Sequence, residues 1–403
     1  MHSGHIALPL DPAYKELEHR AILEQLGTKL VITDGTYKPQ VEGGAAKVTL
    51  VDELYSKALK PRPAIRLAAK KQIASLTFTS GTTGVPKTVP NTHANHLWNI
   101  KVCSQVWDWT TNDSLLVAVP LSHMLGVVMS ISGIIYHANT MYLHRWFDAD
   151  AVLAALASGE ITMFSHAASA YIKLLQVPDK GYDLSRVRLC ISGGAPLPPA
   201  IWKDFKKRYG IEILETYGTS ETGRIAGNGL SQRVLGSPGK VLPEVDFRLD
   251  PSGEVEIKSP GVFPGYYHNK AATDRSRTAD GYWRTGDIAE LKDGYVFLKG
   301  RKQERIRRFS YTISPRDIEW ALHKHPDIKD IYVMGRQRAQ EPNDELIYFI
   351  VTKLDDEQIN RFCKENLLFA WRPDRIIHLE ELPRTRSGKT RIGELKLMLK
   401  GAA

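Results

Sequence analysis

The sequence predicts a large α/β domain, built of mainly parallel sheets flanked by helices and completed by a small β region, followed by a small α+β C-terminal domain. Short strand-forming runs alternate with amphipathic helical stretches through the first part of the chain, which is typical of parallel sheets covered by helices. Near Gly236 the pattern changes to short alternating strands separated by glycine and proline turns. A length of 403 residues also favours about two or three domains over one.

Hydrophobic spacing predicts the elements of the first part. Apolar residues recur at helical spacing in some segments and form short β-prone runs between them. We expect strands at residues 29–33, 73–78, 115–119, 161–164 and 187–192, and helices at residues 14–26, 124–135, 149–158 and 199–209. The apolar helix at 124–135 is expected to be buried, and Asp148 is expected to cap the helix that follows it.

The end of the small β region is indicated by Asp293 and Gly294, a tight-turn pair between two alternating runs. A hairpin is therefore expected to close this region near Gly300. We place a domain boundary there, with an N-terminal domain at residues 1–300 and a mobile C-terminal domain at residues 301–403. The C-terminal domain is expected to contain helices at 315–324, 356–364 and 393–400 and strands at 331–334, 346–352 and 375–379.

Composition and charge narrow the class of protein. A hydrophobic content of 42% and a charged content of 25% are ordinary for a folded, soluble protein. No stretch approaches the length of a membrane span, and Cys103, Cys190 and Cys363 are too few and too scattered for a disulfide framework, so a cytoplasmic location is expected. The net charge of +9 suits an anionic partner such as a nucleotide, a coenzyme or an acidic protein. No zinc-finger or RNA-binding signature points to nucleic acid.

Residues 79–87, T-S-G-T-T-G-V-P-K, combine two glycines, four hydroxyl side chains and Lys87 directly after a β-prone run. Glycine allows close backbone approach, hydroxyls donate to anionic oxygens and lysine adds positive charge, so the segment can cradle phosphates. It does not fit the common P-loop, because Gly81 and Gly84 are too close together and Lys87 does not directly follow the second glycine. Taken alone, the segment is equally consistent with a surface turn.

Further motifs follow in order along the chain. They are P-L-S-H-M-L-G at 120–126, S-G-G-A-P-L at 192–197, Y-G-T-S-E at 217–221, R-T-G-D at 284–287 and L-P-R-T-R-S-G-K at 382–389. With residues 79–87, this series resembles the AMP-forming acyl- and aryl-CoA synthetases of the adenylate-forming superfamily over essentially the whole chain. The resemblance implies an enzyme in which a carboxylate attacks the α-phosphate of ATP to give acyl-AMP and pyrophosphate, and a thiol then takes the acyl group.

The resemblance also assigns the nucleotide to particular residues. The β- and γ-phosphates are expected at Thr79, Ser80, Gly81, Thr82, Thr83, Gly84 and Lys87. Adenine is expected to stack on Tyr217 and to lie against the backbone of Gly193, Gly194 and Ala195, with Thr216, Gly218 and Ser220 adjoining it. Asp287 is expected to accept both ribose hydroxyls, which suits an acceptor-only carboxylate, and Arg301 is its expected partner on the ribose.

Three residues are expected to act in catalysis. Glu221 resembles the glutamate that holds Mg²⁺, a hard cation that prefers oxygen ligands. Lys389, on a glycine-containing loop, is expected to reach the attacking carboxylate and the α-phosphate and to neutralise charge as the bond forms. His123 resembles the residue that guards the acyl pocket, and a purely structural histidine is equally consistent with its position.

The acyl pocket is expected to be apolar. Met124, Gly126 and Val127 follow His123, and no charged residue lies between 123 and 135. A small-molecule fatty or aromatic acid is therefore favoured over an amino acid. CoA is the expected acceptor. An acyl carrier protein bearing phosphopantetheine is the close alternative, and a nucleotide-binding but catalytically inactive homologue is a third.

The sequence departs from the family pattern at two places. Residues 79–87 lie much nearer the start than in relatives, so the usual first part of the N-terminal domain is expected to be absent, through natural compactness, truncation or a misassigned start. A core face exposed in this way would favour a homo-oligomer. Ser310 stands where relatives carry a glycine that borders the pantetheine tunnel, and its extra bulk bears on thioester formation.

The junction between the two predicted domains is strongly basic. Gln303 occupies the hinge position of the family, where rotation needs a permissive backbone and not a particular charge. The basic residues around it are Lys302, Arg305, Arg307 and Arg308. This run is either a solvated face or a surface that attracts the phosphates of CoA or an acidic carrier protein.

Overall fold

The computed structural model describes residues 5–56, 69–78, 87–309, 311–337, 341 and 343–400. The strands are β1 (Leu30–Thr33), β2 (Lys47–Leu50), β3 (Ile73–Phe78), β4 (Thr88–Thr92), β5 (Ser114–Val117), β6 (Thr140–Leu143), β7 (Met163–His166), β8 (Leu189–Gly193), β9 (Ile213–Thr219), β10 (Gly223–Gly227), β11 (Lys240–Val241), β12 (Asp246–Leu249), β13 (Glu254–Lys258), β14 (Trp283–Lys292), β15 (Tyr295–Arg301), β16 (Ile306–Arg308), β17 (Tyr311–Ile313), β18 (Ile328–Arg336), β19 (Glu345–Thr352) and β20 (Arg375–His378).

The helices lie between these strands and after them. They are α1 (Glu16–Gln25), α2 (Lys38–Val41), α3 (Val51–Ser56), α4 (His93–Trp107), α5 (Gly133–His137), α6 (Ala149–Leu156), α7 (Ala168–Gln176), α8 (Pro199–Tyr209), α9 (Lys270–Arg275), α10 (Pro315–Leu322), α11 (Asp356–Asn366) and α12 (Ile392–Lys400). A π-helix at Leu125–Ser132 precedes α5, and short 3₁₀ turns lie at Lys302–Glu304 and Phe369–Trp371.

The centre of the molecule is an eleven-stranded sheet with the order β12-β13-β14-β15-β11-β10-β9-β8-β7-β5-β6. Its parallel part runs from β6 through β5, β7 and β8 to β9, as the alternation of strands and helices predicts. From β9 to β12 the neighbours are antiparallel. The predicted α/β class is thus confirmed. The small β region beginning near Gly236 continues this same sheet, because β11 joins β10 to β15.

Two apolar clusters pack on the parallel part of the sheet. One contains α6, α7 and α8 side chains with Phe164 of β7, and its fully buried members include Tyr171 and Phe205. The other joins α4 to the sheet through Trp98, Trp107 and neighbouring strand residues. Burial of each large side chain contributes about 2–3 kcal/mol relative to exposure, so these clusters fix the ends of β7, β8 and β9 on which site residues lie.

Most predicted elements of the first part are confirmed, with differences at their ends. The Asp148 side chain caps α6 by accepting a hydrogen bond from the Ala151 amide at 2.8 Å. Asp293 and Gly294 form the turn between β14 and β15 and both have positive φ angles, +52° and +79°. The predicted helix at 124–135 is instead a π-helix followed by α5. The apolar spacing correctly predicts a helical segment. It does not indicate that the hydrogen bonds join residues five apart, as in a π-helix, and not four apart.

The C-terminal part is a three-stranded sheet, β18-β19-β20, with helices on both faces. Ile318 of α10 and Ile359 of α11 pack on one face, and Leu395 and Leu399 of α12 pack on the other. This is the predicted α+β arrangement. Arg316 reaches out of it and donates to the Leu298 carbonyl of β15 at 2.9 Å. The boundary near Gly300 stays a prediction.

In the part of the chain that the structure describes, none of the helices is both long enough and apolar enough to cross a bilayer. Cys103, Cys190 and Cys363 are buried free thiols.

Candidate active site

Tyr217, Asp287 and Arg301, here called the Asp287 cluster, meet although they come from three strands. The Tyr217 hydroxyl donates to Asp287 Oδ2 at 2.8 Å, and Arg301 Nε lies 2.8 Å from Asp287 Oδ1. Asp287 and Arg301 are partners in the pairing of β14 with β15. Each carboxylate oxygen therefore has one partner and keeps acceptor capacity for a further donor, such as a ribose hydroxyl.

Burial and charge act in opposite directions on the Asp287 cluster. Burial raises the pKa of Asp287, whereas the positive charge of Arg301 and the hydrogen bond from Tyr217 oppose that rise. The charge of Asp287 raises the pKa of Arg301 in turn. Burial also raises the pKa of Tyr217 well above its ordinary value, so its phenol remains a hydrogen-bond donor. The cluster is a preformed acceptor held by two donors.

Glu221 lies in the turn between β9 and β10 and is held by a residue that the sequence analysis did not select. Tyr266 donates its hydroxyl to Glu221 Oε1 at 2.8 Å, and the Glu221 carbonyl accepts from the Phe263 amide at 2.8 Å. Burial and the nearby Glu221 raise the pKa of Tyr266. Lys87 Nζ lies 4.7 Å from the centre of the Tyr266 ring. This contact brings the end of the predicted phosphate segment beside the predicted metal ligand.

The carboxylate oxygens of Glu221 are consistent with the way proteins bind Mg²⁺ together with a nucleotide. Tyr266 occupies Glu221 Oε1, and Glu221 Oε2 accepts no hydrogen bond from the described residues. Among the described residues, no group of three or more acidic, histidine or cysteine side chains could hold a metal ion alone. Mg²⁺ is commonly bound by one or two carboxylates together with phosphate oxygens and water. Glu221 therefore fits a metal ion that arrives with ATP.

The glycine motif at the end of β8 lies directly beside Lys389. Gly194 has a φ angle of +83°, a left-handed conformation that glycine adopts readily. A methyl group placed on Gly194 would lie 3.7 Å from Lys389 Cε. A methyl group on Gly193 would lie 3.1 Å from Thr216 Cγ2, and Ala195 is partly exposed. The motif thus allows close approach to its backbone from the side on which Lys389 lies.

In and beside the neighbouring Y-G-T-S-E motif, some residues serve the pairing of β9 with β10. A methyl group on Gly218 would lie 2.1 Å from the Gly223 carbonyl oxygen, so glycine is needed for the close pairing of β9 with β10. Thr216 donates its hydroxyl to the Ala226 carbonyl at 2.9 Å. Ser220 is partly exposed in the turn that follows. Of these residues, Gly218 and Thr216 are accounted for by strand pairing, whereas Ser220 precedes Glu221 in the turn.

Hydrogen bonds between Thr385 and Lys389 join the two ends of the loop that carries this lysine. The Thr385 amide donates to the Lys389 carbonyl at 2.7 Å, and the Lys389 amide donates to Thr385 Oγ1 at 3.1 Å. Arg384 anchors the loop to the C-terminal sheet through both oxygens of Asp330, at 2.9 and 2.7 Å. Gly388 has a φ angle of +87°. These contacts fix the backbone from which the lysine projects.

Lys389 belongs to the same electrostatic environment as the nucleotide residues. Burial and the charge of Arg301 lower the pKa of the Lys389 ammonium, whereas Glu221 and Asp287 oppose this effect. The charges of both predicted carboxylates therefore act on the Lys389 ammonium. Lys389 is thus linked to Glu221 and Asp287 through charge, and to Gly194 through close approach of its side chain.

Contacts on the other side of the lysine loop hold it against the N-terminal part. A methyl group on Gly388 would lie 2.2 Å from Ser169 Oγ of α7, so only glycine fits there. Arg386 lies 3.5 Å from Asp11 and 4.0 Å from the centre of the Trp146 ring. This packing holds Lys389 at the site.

His123 lies in the turn after β5 and is partly buried. Its carbonyl accepts from the Val127 amide at 2.9 Å, and its Nδ1 accepts from the Leu125 amide at 3.3 Å. Burial, together with the charges of Lys389 and Arg224, lowers the pKa of His123 to about 3. His166 also acts on His123, and burial lowers its own pKa to about 4. We call His123, His166 and Arg224 the His123 cluster.

Some predicted positions lie outside the described residues. The phosphate segment is among them, namely Thr79, Ser80, Gly81, Thr82, Thr83 and Gly84. The strands on either side of it, β3 and β4, pair with Phe78 opposite Thr88. Ser310, which bears on the predicted pantetheine tunnel, also lies outside them.

The basic run at the junction is less available than the sequence suggests. Lys302 Nζ lies 2.7 Å from Glu254 Oε2, and Arg308 is 6% exposed and lies 2.9 Å from Asp374. Two of the four cations therefore serve internal ion pairs. Gln303 is exposed in the short 3₁₀ turn, which is consistent with the predicted hinge position.

Comparison with sequence families identifies both parts of the chain. Residues 1–267 match the model of the AMP-binding enzyme family, and residues 317–389 match that of the AMP-binding enzyme C-terminal domain. A 2-succinylbenzoate–CoA ligase of Listeria monocytogenes is 30% identical over 98% of this chain and 84% of its own length. A mitochondrial malonate–CoA ligase of Mus musculus is 28% identical over 98% of this chain and 77% of its own.

Solved structures give the same result. The ATP-bound MatB of Rhodopseudomonas palustris superposes with a TM-score of 0.90 at 26% identity, over 99% of this chain and 84% of that one. The O-succinylbenzoate CoA synthetase of Bacillus subtilis, in complex with ATP and magnesium ion, superposes with a TM-score of 0.83 at 26% identity, over 96% and 83% of the two chains. The chain therefore belongs to the AMP-binding enzyme family of the adenylate-forming superfamily and is an AMP-forming acid–thiol ligase.

Proposed function

We propose that the chain uses ATP to convert a carboxylic acid into its acyl-AMP and then transfers the acyl group to CoA. In the first step a carboxylate oxygen bonds to the α-phosphorus and pyrophosphate leaves. In the second step the CoA sulfur bonds to the acyl carbon, AMP leaves and the thiol proton is released. The observation that carries this proposal is the position of Lys389 beside Gly194, with Glu221, Asp287 and Arg301 in its electrostatic environment.

The proposed roles follow from the charges and donors of the site. Lys389 would stabilise the negative charge that gathers on the carboxylate and α-phosphate oxygens, and a fixed ammonium in a partly buried site is effective there. Asp287 would accept the ribose hydroxyls while Tyr217 and Arg301 hold its orientation. Mg²⁺ at Glu221 would neutralise charge on the phosphates. Residues 79–87 would bind the β- and γ-phosphates, with Lys87 next to Tyr266.

The choice of CoA as acceptor rests on the relatives, which are named as CoA ligases. The internal ion pairs of Lys302 and Arg308 also leave fewer free cations at the junction for an acidic carrier protein. The nature of the acid is less restricted. Relatives are named for 2-succinylbenzoate and malonate, which carry a second acidic group, and for long-chain fatty acids, which do not. The sequence alone favours an apolar fatty or aromatic acid.

The test is a screen for pyrophosphate release over acids of graded length and shape, with hydroxamate trapping of the acyl-AMP, run with and without CoA. We expect release that depends on the acid, and a thioester only when CoA is present. ATP binding without release for any acid of a broad panel would overturn the proposal in favour of an inactive nucleotide-binding homologue.

A further inference from the structure

We propose that Arg224 binds a second anionic group on the carboxylic acid, so that the preferred substrate is a dianionic acid such as a dicarboxylate. The proposal rests on the adenylation reaction proposed above and specifies the substrate class of the same site. Arg224 follows Glu221 by three residues, at the second position of β10.

The position of Arg224 places its guanidinium at the strand end where Lys389 also lies. A methyl group on Gly193 would lie 3.2 Å from Arg224 Nη1, and one on Gly194 would lie 3.7 Å from Lys389 Cε. Two cationic side chains thus flank consecutive residues of one motif. If Lys389 meets the reacting carboxylate, Arg224 is suitably placed for a charge elsewhere on the same small acid.

The guanidinium has no acidic partner among the described residues. Its Nη1 lies 3.4 Å from the Thr216 hydroxyl, its carbon lies 5.9 Å from the centre of the Trp107 ring, and it contacts the Cys103 thiol. By contrast, Arg188 and Arg301 each have a carboxylate. A partly buried cation without a counterion is costly, and an anionic ligand with two acceptor oxygens would offset that cost through charge-assisted hydrogen bonds.

The surroundings favour the acid over the nucleotide phosphates as the source of this anion. Lys87, at the end of the predicted phosphate segment, lies over Tyr266, which binds Glu221. Arg224 instead acts on His123, and its charge contributes to the lowered pKa of that histidine. The His123 side of the site is where the acyl group is expected.

The proposal changes the substrate expected from the sequence. The apolar stretch after His123 carries no charged residue. The positive charge is supplied by Arg224 on β10, a different segment of the chain. The body of the acid would therefore contact the apolar residues, while its far end would pair with Arg224. A guanidinium suits this purpose because its planar fork matches a carboxylate or sulfonate.

The experiment compares linear and aromatic dicarboxylic acids with their monomethyl esters, in the parent chain, Arg224→Gln and Arg224→Lys. In the parent we expect kcat/KM for pyrophosphate release to be roughly 100-fold higher for the best diacid than for its ester. Arg224→Gln should remove that preference, because it should lower kcat/KM for the diacid far more than kcat/KM for the ester. Arg224→Lys should retain part of the preference. Arg275→Gln, which removes one exposed surface charge, is the matched control and should behave as the parent.

The outcomes separate this proposal from the one on which it rests. Pyrophosphate release with equal use of diacids and esters by the parent would overturn the role of Arg224 while leaving adenylation intact. A rise in the KM for ATP in Arg224→Gln, the same for every acid, would assign Arg224 to the phosphates and also overturn it. Failure of every acid would contradict adenylation itself. If Arg224→Gln does not fold, Arg224→Lys takes its place, and a preference for diacid over ester that is unchanged in Arg224→Lys would overturn the role of Arg224.

Discussion

In the Asp287 cluster every charged group has a protein partner, since Asp287 is bound by both Tyr217 and Arg301. In the His123 cluster the polar groups are less completely paired. His166 Nε2 has no hydrogen-bond partner in the described structure, and Arg224 has no carboxylate. The first cluster is preformed for a ligand of fixed chemistry, as adenosine would be. The second leaves hydrogen-bonding capacity for a ligand that varies among relatives.

The difference has an energetic meaning. Polar groups that are already paired lose little when a ligand is absent, whereas buried unpaired groups remain costly until a ligand satisfies them. A site arranged in this way is expected to discriminate most strongly where its groups are unpaired, because an acid that leaves them unsatisfied loses binding energy. The charge of Lys389 acts on residues of both clusters, because it lowers the pKa of His123 and opposes the rise in the pKa of Asp287.

The largest effect is expected for Lys389→Ala. The lysine would meet charge that develops only in the transition state, so acyl-AMP formation should fall about 1000-fold while ATP affinity stays within a few-fold. Single-turnover pyrophosphate release and equilibrium binding of ATP measure the two quantities. Lys203→Ala, on the exposed face of α8, is the control. An equal loss of ATP affinity would show that Lys389 acts in ATP binding instead, as the Asp287 cluster is proposed to do.

The next largest effect is expected in the Asp287 cluster. Asp287→Asn keeps the shape of the side chain but removes its charge, which leaves Arg301 without its ion pair. We expect kcat/KM for ATP to fall roughly 100-fold while the KM for the acid changes little. Steady-state kinetics with each substrate varied in turn separate the two.

The exposed ion pair between Arg248 and Asp280 supplies a matched control for that variant. Asp280→Asn removes the same kind of charge from the surface and should leave both constants unchanged. If Asp287→Asn alters the acid and ATP constants equally, the separation of the two clusters is wrong.

A smaller effect is expected for Gly388→Ala, which acts on the position of Lys389. The new methyl group would lie 2.2 Å from Ser169 Oγ, and the φ angle of +87° disfavours alanine. The loop should shift and slow adenylation roughly 30-fold. Thioester formation from a supplied acyl-AMP should be less affected, because Lys389 is assigned to the first step only.

Two further variants test that explanation. Gly393→Ala is the control, because nothing lies within 4 Å of a methyl group placed there. Combining Gly388→Ala with Ser169→Gly removes the contact with Ser169 and should recover part of the rate, while the contact with Ala167 Cβ at 3.0 Å and the positive φ angle remain. No recovery, with the fold intact, would mean that contact with α7 does not position the loop.

The two clusters also differ in how far they could be predicted from the sequence. Asp287 and Lys389 stand in short linear motifs, and the hairpin that ends at Arg301 has a local turn signal in Asp293 and Gly294. Such residues can be selected from the chain alone. The alternation of strands and helices likewise predicted the parallel part of the sheet, because that pattern is local.

Other features depend on contacts between distant segments. Tyr266 binds Glu221 across 45 positions of sequence, and Gly388 meets Ser169 of α7. Arg224 stands next to a recognised motif, but its direction toward Gly193 follows from the pairing of β9 with β10. Local periodicity also does not determine which strands become neighbours, so the union of the antiparallel region with the central sheet had no sequence signal.

The smallest effect, an absence of change, is expected for the pH dependence of the His123 cluster. The pKa of His123 is lowered to about 3 and that of His166 to about 4, so both rings take up protons only below those values and are neutral at pH 5.5 and above. Acyl-AMP formation between pH 5.5 and 8 should therefore have the same profile in the parent and in His123→Gln, whatever its absolute rate. An acidic limb near pH 6.5 that disappears in His123→Gln would show that His123 titrates in this range. His123 would then be a charged group of the acyl pocket, and Arg224 would not be the only cation available there for a second anionic group of the acid.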